Sequence, residues 1–142
     1  HAILHTCEYL EKHGYEITYL GVDENGVVDI EELKSAIRPT TILVSIMFAN
    51  NEIGTIEPVA ELGKIAHEHG VVFHTDAVQA FGKYRIIPKK ENIDLMSVSA
   101  HKLHGPKGVG VLYSKKAIML DNVINGGGQE RGKRAGTENI PQ

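Results

Sequence analysis

Lys102 stands in the run Ser99-Ala-His-Lys-Leu-His-Gly-Pro-Lys-Gly108, just past Asp94-Leu-Met-Ser-Val-Ser99, which has the composition of a buried strand. Lysine is ordinarily a surface residue. Carried off the end of a core strand into a rigid Gly-Pro corner, it is expected to be desolvated. Desolvation disfavours the ammonium and leaves a nucleophilic amine, which can form a Schiff base with an aldehyde. Two further segments place polar groups directly after apolar runs, Asn50-Asn-Glu-Ile-Gly54 and His74-Thr-Asp-Ala-Val-Gln79. Together the three suit pyridoxal 5'-phosphate, an aldehyde whose ring nitrogen must stay protonated to act as an electron sink, and a neighbouring carboxylate keeps it so. Asp76 is the candidate carboxylate. Gln79, one helical turn on, can donate to the ring hydroxyl. Ser99 and His101 flank the lysine and suit the phosphate, and Asn51 can reach the hydroxyl side or a substrate.

Elements must bring these segments together. Ala2 to His13 reads as a helix, with Ile3, Cys7 and Leu10 at helical spacing and Gly14 as its stop. Glu16 to Leu20 reads as a strand and Asp23-Glu-Asn-Gly26 as a turn. Asp29-Ile-Glu-Glu32 is a capping-box pattern opening a helix that runs to about Arg38, before Pro39. Thr41 to Met47 is a continuous apolar run, expected to be a strand buried on both faces of a parallel sheet. Pro58 suits the first turn of a helix ending at Gly70. Val71 to Thr75 and Ile93 to Val98 are further strands, with a short helix over Ala77 to Phe81 between them. Val109 to Tyr113 follows too short a connection for a parallel crossover and is expected to be antiparallel. The fold class is therefore α/β, mostly parallel with one antiparallel strand and helices on both faces. Ligands of open α/β sheets bind outside the carboxyl ends of the strands, where the three polar segments fall.

The 142 residues are enough for one domain with a core, and a formal charge of −3 gives no basis for nucleic-acid binding. No apolar run reaches membrane-spanning length, so no membrane association is expected. The single cysteine cannot close an internal disulfide, which points to a reducing cytoplasm. The chain has no initiator Met and stops just after a glycine-rich loop, as a piece of a longer polypeptide would.

The motifs Asn50-Asn-Glu-Ile-Gly54, His74-Thr-Asp-Ala-Val-Gln79, Ser99-Ala-His-Lys-Leu-His-Gly-Pro-Lys-Gly108 and Gly126-Gly-Gly-Gln-Glu-Arg-Gly-Lys-Arg-Ala-Gly-Thr137 resemble those of the cysteine desulfurases. These are class V aminotransferase-like, fold-type I pyridoxal-phosphate enzymes. The resemblance runs through the whole chain and covers about a third of a typical member, so residues 1–142 would be part of the cofactor-binding large domain, without the small domain. It implies that Lys102 carries the cofactor and later shuttles a proton. Asp76 would pair with the ring nitrogen, Gln79 and Asn51 would serve the ring-hydroxyl side, and Ser99 and His101 would bind phosphate. Thr137 would reach the phosphate of the partner subunit's cofactor, which implies a homodimer. L-cysteine would be the substrate. L-alanine and an enzyme persulfide would be the products, the sulfur passing to an iron–sulfur scaffold or to tRNA thiolation. The family's ring-stacking histidine falls one position before His1. Its nucleophilic cysteine and its substrate-carboxylate arginine fall beyond Gln142. Phe48 departs from the family's more usual histidine.

Other readings compete. A related selenocysteine lyase or class V aminotransferase would share the same motifs. A non-catalytic fragment that only dimerises or binds sulfur-transfer partners is of another class. Lys102 alone would be read as a snorkelling strand-end lysine, Asn50-Asn51 as a plain turn, and Asp76 as a helix cap. Cys7, on the apolar stripe of the first helix, reads as buried and structural. His67 and His69 do not share a helix face, and His101 and His104 lack a third ligand, so no metal is expected. Gly126-Gly-Gly128 matches neither phosphate-loop pattern, and Lys107 reads as solvated.

Overall fold

The structure, a computed structural model, describes residues 2–138 and 140, so His1 lies outside the described residues. Among the described residues, helices α1 (Ala2–Lys12), α2 (Ile30–Ala36) and α3 (Val59–Glu68), with two shorter helical turns later in the chain, accompany strands β1 (Leu43–Met47), β2 (Val72–Asp76), β3 (Leu95–Ser99) and β4 (Gly110–Ser114). The strands form one sheet in the order β1-β2-β3-β4. The first three are parallel, and β4 runs antiparallel to β3, as its short connection requires.

Side chains alternate across β2. Phe73 and Thr75 are buried on the face that meets α3, whereas His74 and Asp76 lie on the other and are only half-buried. α3 packs on β2 through Leu62, Ile65 and Ala66, and α2 packs on α3 through Leu33. Gly63 lets α3 approach closely, because a Cβ there would stand 2.7 Å from the Asn92 carbonyl oxygen and 2.9 Å from the Phe73 ring. Leu62 and Phe73 are fully buried, each stabilising the fold by about 1.5–3 kcal/mol.

At the amino end of the sheet Asp94 gathers three donors. Its carboxylate accepts from the Phe73 N–H at 3.0 Å, lies 2.7 Å from His67 Nε2 and accepts from Lys115 Nζ at 3.0 Å. Burial pushes this carboxyl up, but the Phe73 N–H, His67 and Lys115 together outweigh it and hold it below the usual range. One buried side chain thereby ties α3, β2, β3 and the residue after β4.

Several local expectations are corrected. Glu16–Leu20 forms no strand, because no neighbouring strand pairs with it; the nearest pairing is one antiparallel bridge between Val22 and Val28. The capping box is half made. Asp29 caps the Glu31 and Glu32 N–H groups, but Glu32 turns away and accepts from the Gly21 N–H at 3.1 Å. β1 is buried on one face only, with Leu43 47% exposed, so its apolar run is not covered on both sides among the described residues. Ala77–Phe81 makes a single turn, with the Ala80 and Phe81 N–H groups both donating to the Ala77 carbonyl. α1 buries none of its residues, and Cys7 is half-exposed rather than core.

Candidate active site at the carboxyl ends of the strands

The register sets the site. Met47 pairs with Asp76, and Asp76 pairs with Ser97, so β1 and β2 end level with each other and β3 runs two residues further, to Ser99. The Phe48 N–H donates to the Asp76 carbonyl at 2.8 Å, and the Ala77 N–H donates to the Ser97 carbonyl at 3.0 Å. These two bonds carry the ladder one step past β1 and β2 and fix where each following loop begins.

After β1, Asn50 builds a tight turn. Its Oδ1 accepts from the Glu52 N–H at 2.8 Å and the Ile53 N–H at 3.1 Å, which puts the exposed Asn51 at the tip. After β2, Asp76 Oδ1 accepts from the Val78 N–H at 2.9 Å and so caps the turn that presents Gln79. Among the described residues no hydrogen bond occupies Asp76 Oδ2, which is left for another donor. Asn51 and Gln79 line one cavity of about 390 Å³, together with Lys83 and Tyr84. Phe48, 4% exposed, packs its ring 5.8 Å from that of Tyr84, which gives an apolar side chain a reason to stand there.

After β3 the chain makes one tight 3₁₀ turn, Ala100–Leu103, which carries Lys102. His104 closes it in the left-handed conformation, and the Gly105 N–H donates back to the Ala100 carbonyl at 2.9 Å. A Cβ on Gly105 would stand 2.9 Å from the Ala100 Cβ, so the return is too close for a side chain. Ser99 Oγ and His101 Nδ1 are 2.7 Å apart, a paired hydroxyl and imidazole beside Lys102. The desolvation expected at Lys102 is not found: its side chain is exposed, on a surface turn with no described element packed over it.

Asp76 and Ser99 emerge from neighbouring strands on one face of the sheet, since Ser97 is level with Asp76 and Ser99 follows two residues on. Thr137 is exposed after a Gln129–Gly132 turn that holds Glu130 and Arg131 in left-handed conformations, and no described contact joins it to the other candidates. His67 is engaged with Asp94, and His69 Nδ1 lies 2.8 Å from the Ile65 carbonyl oxygen. Among the described residues no three His, Cys, Asp or Glu side chains converge as a metal would need. No described helix is long and apolar enough to cross a membrane.

Sequence reasoning missed His74 as more than part of a motif. Its Nδ1 is 2.7 Å from Ser45 Oγ and its Nε2 is 2.9 Å from Ser97 Oγ, so one ring bridges three strands. Burial holds it below the usual histidine range, against the opposing pull of Asp76. The signal was present as serines interrupting two apolar strands, but it needed the register to be read.

Comparison with known proteins agrees with this geometry. A family profile described as Aminotransferase class-V matches residues 1–142. The cysteine desulfurase IscS of Clostridium botulinum (strain Hall) is 62% identical over 139 residues, covering 98% of this chain and 35% of that protein. A solved NifS-like protein superposes with a TM-score of 0.95 at 47% identity, covering 99% of this chain and 39% of the other. A structure of SspA in complex with cysteine gives a TM-score of 0.95 at 44% identity, over 98% and 41%. The chain thus spans about a third of the length of the curated relatives it matches.

Proposed function

This chain belongs to the Aminotransferase class-V family, and from that premise we propose that its strand ends form the pyridoxal-phosphate site of a cysteine desulfurase. The observation that carries the reading is the register of neighbouring strand ends, with Asp76 and Ser99 on one face, His101 joined to Ser99, and Lys102 on the turn that follows.

The donor set fits the group chemically. Asp76 keeps one carboxylate oxygen for a ring N–H and so holds a proton on that nitrogen. Ser99 and His101 present a hydroxyl and an imidazole for a phosphate, and Lys102 Nζ is the amine for the aldehyde. Gln79 and Asn51, facing one cavity, serve the ring-hydroxyl side. Bound there, pyridoxal phosphate supplies an electron sink for negative charge developing at an amino acid's Cα. Lys102 Nζ would be the base that accepts the proton from Cα, and the fixed charge of Asp76 would favour the ring-nitrogen proton on which that electron sink depends. The net reaction converts L-cysteine and an enzyme thiol into L-alanine and an enzyme persulfide. We assign that thiol to a segment other than these residues, since their single cysteine, Cys7, lies on α1 and on none of the strand-end segments.

The same reading makes residues 1–142 part of the large domain of a cytoplasmic homodimer in which Thr137 acts at the second copy's phosphate. The persulfide then serves iron–sulfur cluster assembly or tRNA thiolation. The test is the visible absorption of the full chain with pyridoxal phosphate, native and Lys102→Ala. The expected result is a band in the native protein that L-cysteine bleaches with formation of alanine, and no such band in Lys102→Ala. A native protein without the band overturns the proposal and leaves a binding or scaffold role. A band bleached by selenocysteine but not by cysteine moves the substrate to a selenocysteine lyase.

A further inference from the structure

His74 lies below Asp76 on the same strand and the same face, and both of its ring nitrogens meet serine hydroxyls from the flanking strands. Ser45 is its direct neighbour in the β1–β2 register. Ser97 is not: it pairs with Asp76, one step nearer the carboxyl ends, while His74 pairs with Leu95. The imidazole therefore reaches diagonally and holds the hydroxyl that stands level with Asp76. Strands lie about 4.8 Å apart, so a single ring spanning Ser45 to Ser97 fixes both inter-strand spacings at once.

We propose that His74 is a positioning residue for Asp76, tying β1, β2 and β3 together just beneath the strand ends and so holding the carboxylate and the segments of Asn51 and Lys102 in one arrangement. The inference rests on the pyridoxal-phosphate reading above. A valine or leucine would fill the same half-buried place on a strand. What an apolar side chain cannot do is set a directional link, one nitrogen donating and the other accepting, with hydroxyls that adapt to either. Burial keeps the ring toward its neutral form. A neutral ring places no competing cation beneath Asp76, so the carboxylate's charge stays directed at the ligand's ring nitrogen.

The test uses the full chain loaded with pyridoxal phosphate carrying ¹⁵N at the ring nitrogen. His74→Phe keeps a ring and removes both hydrogen bonds. The double variant Ser45→Ala, Ser97→Ala keeps the imidazole and removes its partners, so a failure of His74→Phe to fold does not end the test. Two quantities are read, the dissociation constant from the visible band and the ¹⁵N shift of the bound ring. Either variant is expected to bind roughly tenfold more weakly, the scale of one or two lost hydrogen bonds. The ¹⁵N resonance is expected to move from the protonated toward the unprotonated range, which a loss of overall stability alone would not produce. Folded variants with native shift and native affinity overturn the inference while leaving the cofactor reading intact. A native chain that forms no visible band overturns the cofactor reading, and this inference with it.

Discussion

Replacing Asp94 by asparagine removes one negative charge from a point where three donors converge, and by alanine removes the acceptor as well. The carboxylate side chain is 5% exposed, while His67 is 32% and Lys115 is 54% exposed. Screening by water limits the Lys115 contact to about 0–1 kcal/mol. The bond from the Phe73 N–H is buried and reciprocal, since the Asp94 N–H donates in turn to the Phe73 carbonyl at 3.0 Å. Leaving that N–H unpaired costs about 1–3 kcal/mol. Asp94→Ala should therefore destabilise by about 1–4 kcal/mol, the unpaired N–H together with the screened ion pair, since the cations left behind still reach water. Asp94→Asn keeps an acceptor for Phe73 and loses only the charge assistance, about 1–1.5 kcal/mol. Lys115→Met should cost less than about 1 kcal/mol. The assay is urea unfolding of the full chain, with amide hydrogen exchange at Phe73 as the local reporter.

The acid limb gives an independent check. Asp94 is held below the ordinary carboxyl value, so its contribution is fully present above that value, about 3.9, and is lost as pH falls through the lower folded one. Wild type and Asp94→Asn should converge in stability below about pH 4. A gap that instead widens in acid, or Asp94→Asn within about 0.5 kcal/mol of wild type at pH 7, would refute the reasoning.

Two further substitutions probe the core beneath the site. Thr75 is fully buried, and its hydroxyl has no partner among the described residues. Thr75→Val should stabilise by about 1 kcal/mol by removing a desolvated, unpaired group, and a loss of that size in thermal unfolding would contradict it. Gly63→Ala should destabilise by about 1–2 kcal/mol, because overpacking against the Asn92 carbonyl and the Phe73 ring exceeds the roughly 1 kcal/mol gained in helix propensity; a rise in the unfolding midpoint would show that α3 moves aside.

The sequence carried the sheet well because three apolar runs are separated by connections of unambiguous length. The antiparallel turn of β4 followed from the short Gly-Pro-Lys-Gly link alone. The strand expected at Glu16–Leu20 failed for a reason composition cannot express: a β-forming run needs a neighbour with open backbone groups, and none lies beside it. The second bond of the capping box failed similarly, because Glu32 met the Gly21 N–H, a partner distant in sequence. At the site, motif spacing singled out Asp76, Gln79, Ser99 and His101 as candidates, and the turns that position Asn51 and Gln79 are built by Asn50 and Asp76 side chains. Exposure was not legible. Whether Lys102 is desolvated depends on what lies over its turn, which no motif encodes. His74 was illegible for the opposite reason, since its partners Ser45 and Ser97 are 29 and 23 residues away and meet only through register.

Five residues of β2 show how that register divides the labour. Phe73 and Thr75 point into the core, and His74 and Asp76 point to the other face. A slip of one residue would exchange the two sets, burying a carboxylate and exposing a phenylalanine. Two side-chain ties oppose such a slip at different heights. Asp94 clamps the amino end through the Phe73 N–H, and His74 links the middle to both neighbours. Phe73 and Asp76 are three residues, roughly 10 Å, apart along the strand. The first tie therefore acts mainly on stability, and the second acts where small lateral shifts reach the carboxylate directly. The polar residues of this sheet thus follow a gradient, from those that hold the strand in place to those at its open end, where the proposed ligand site lies, and the alternation of a single strand is enough to keep the buried and the outward-facing kinds apart.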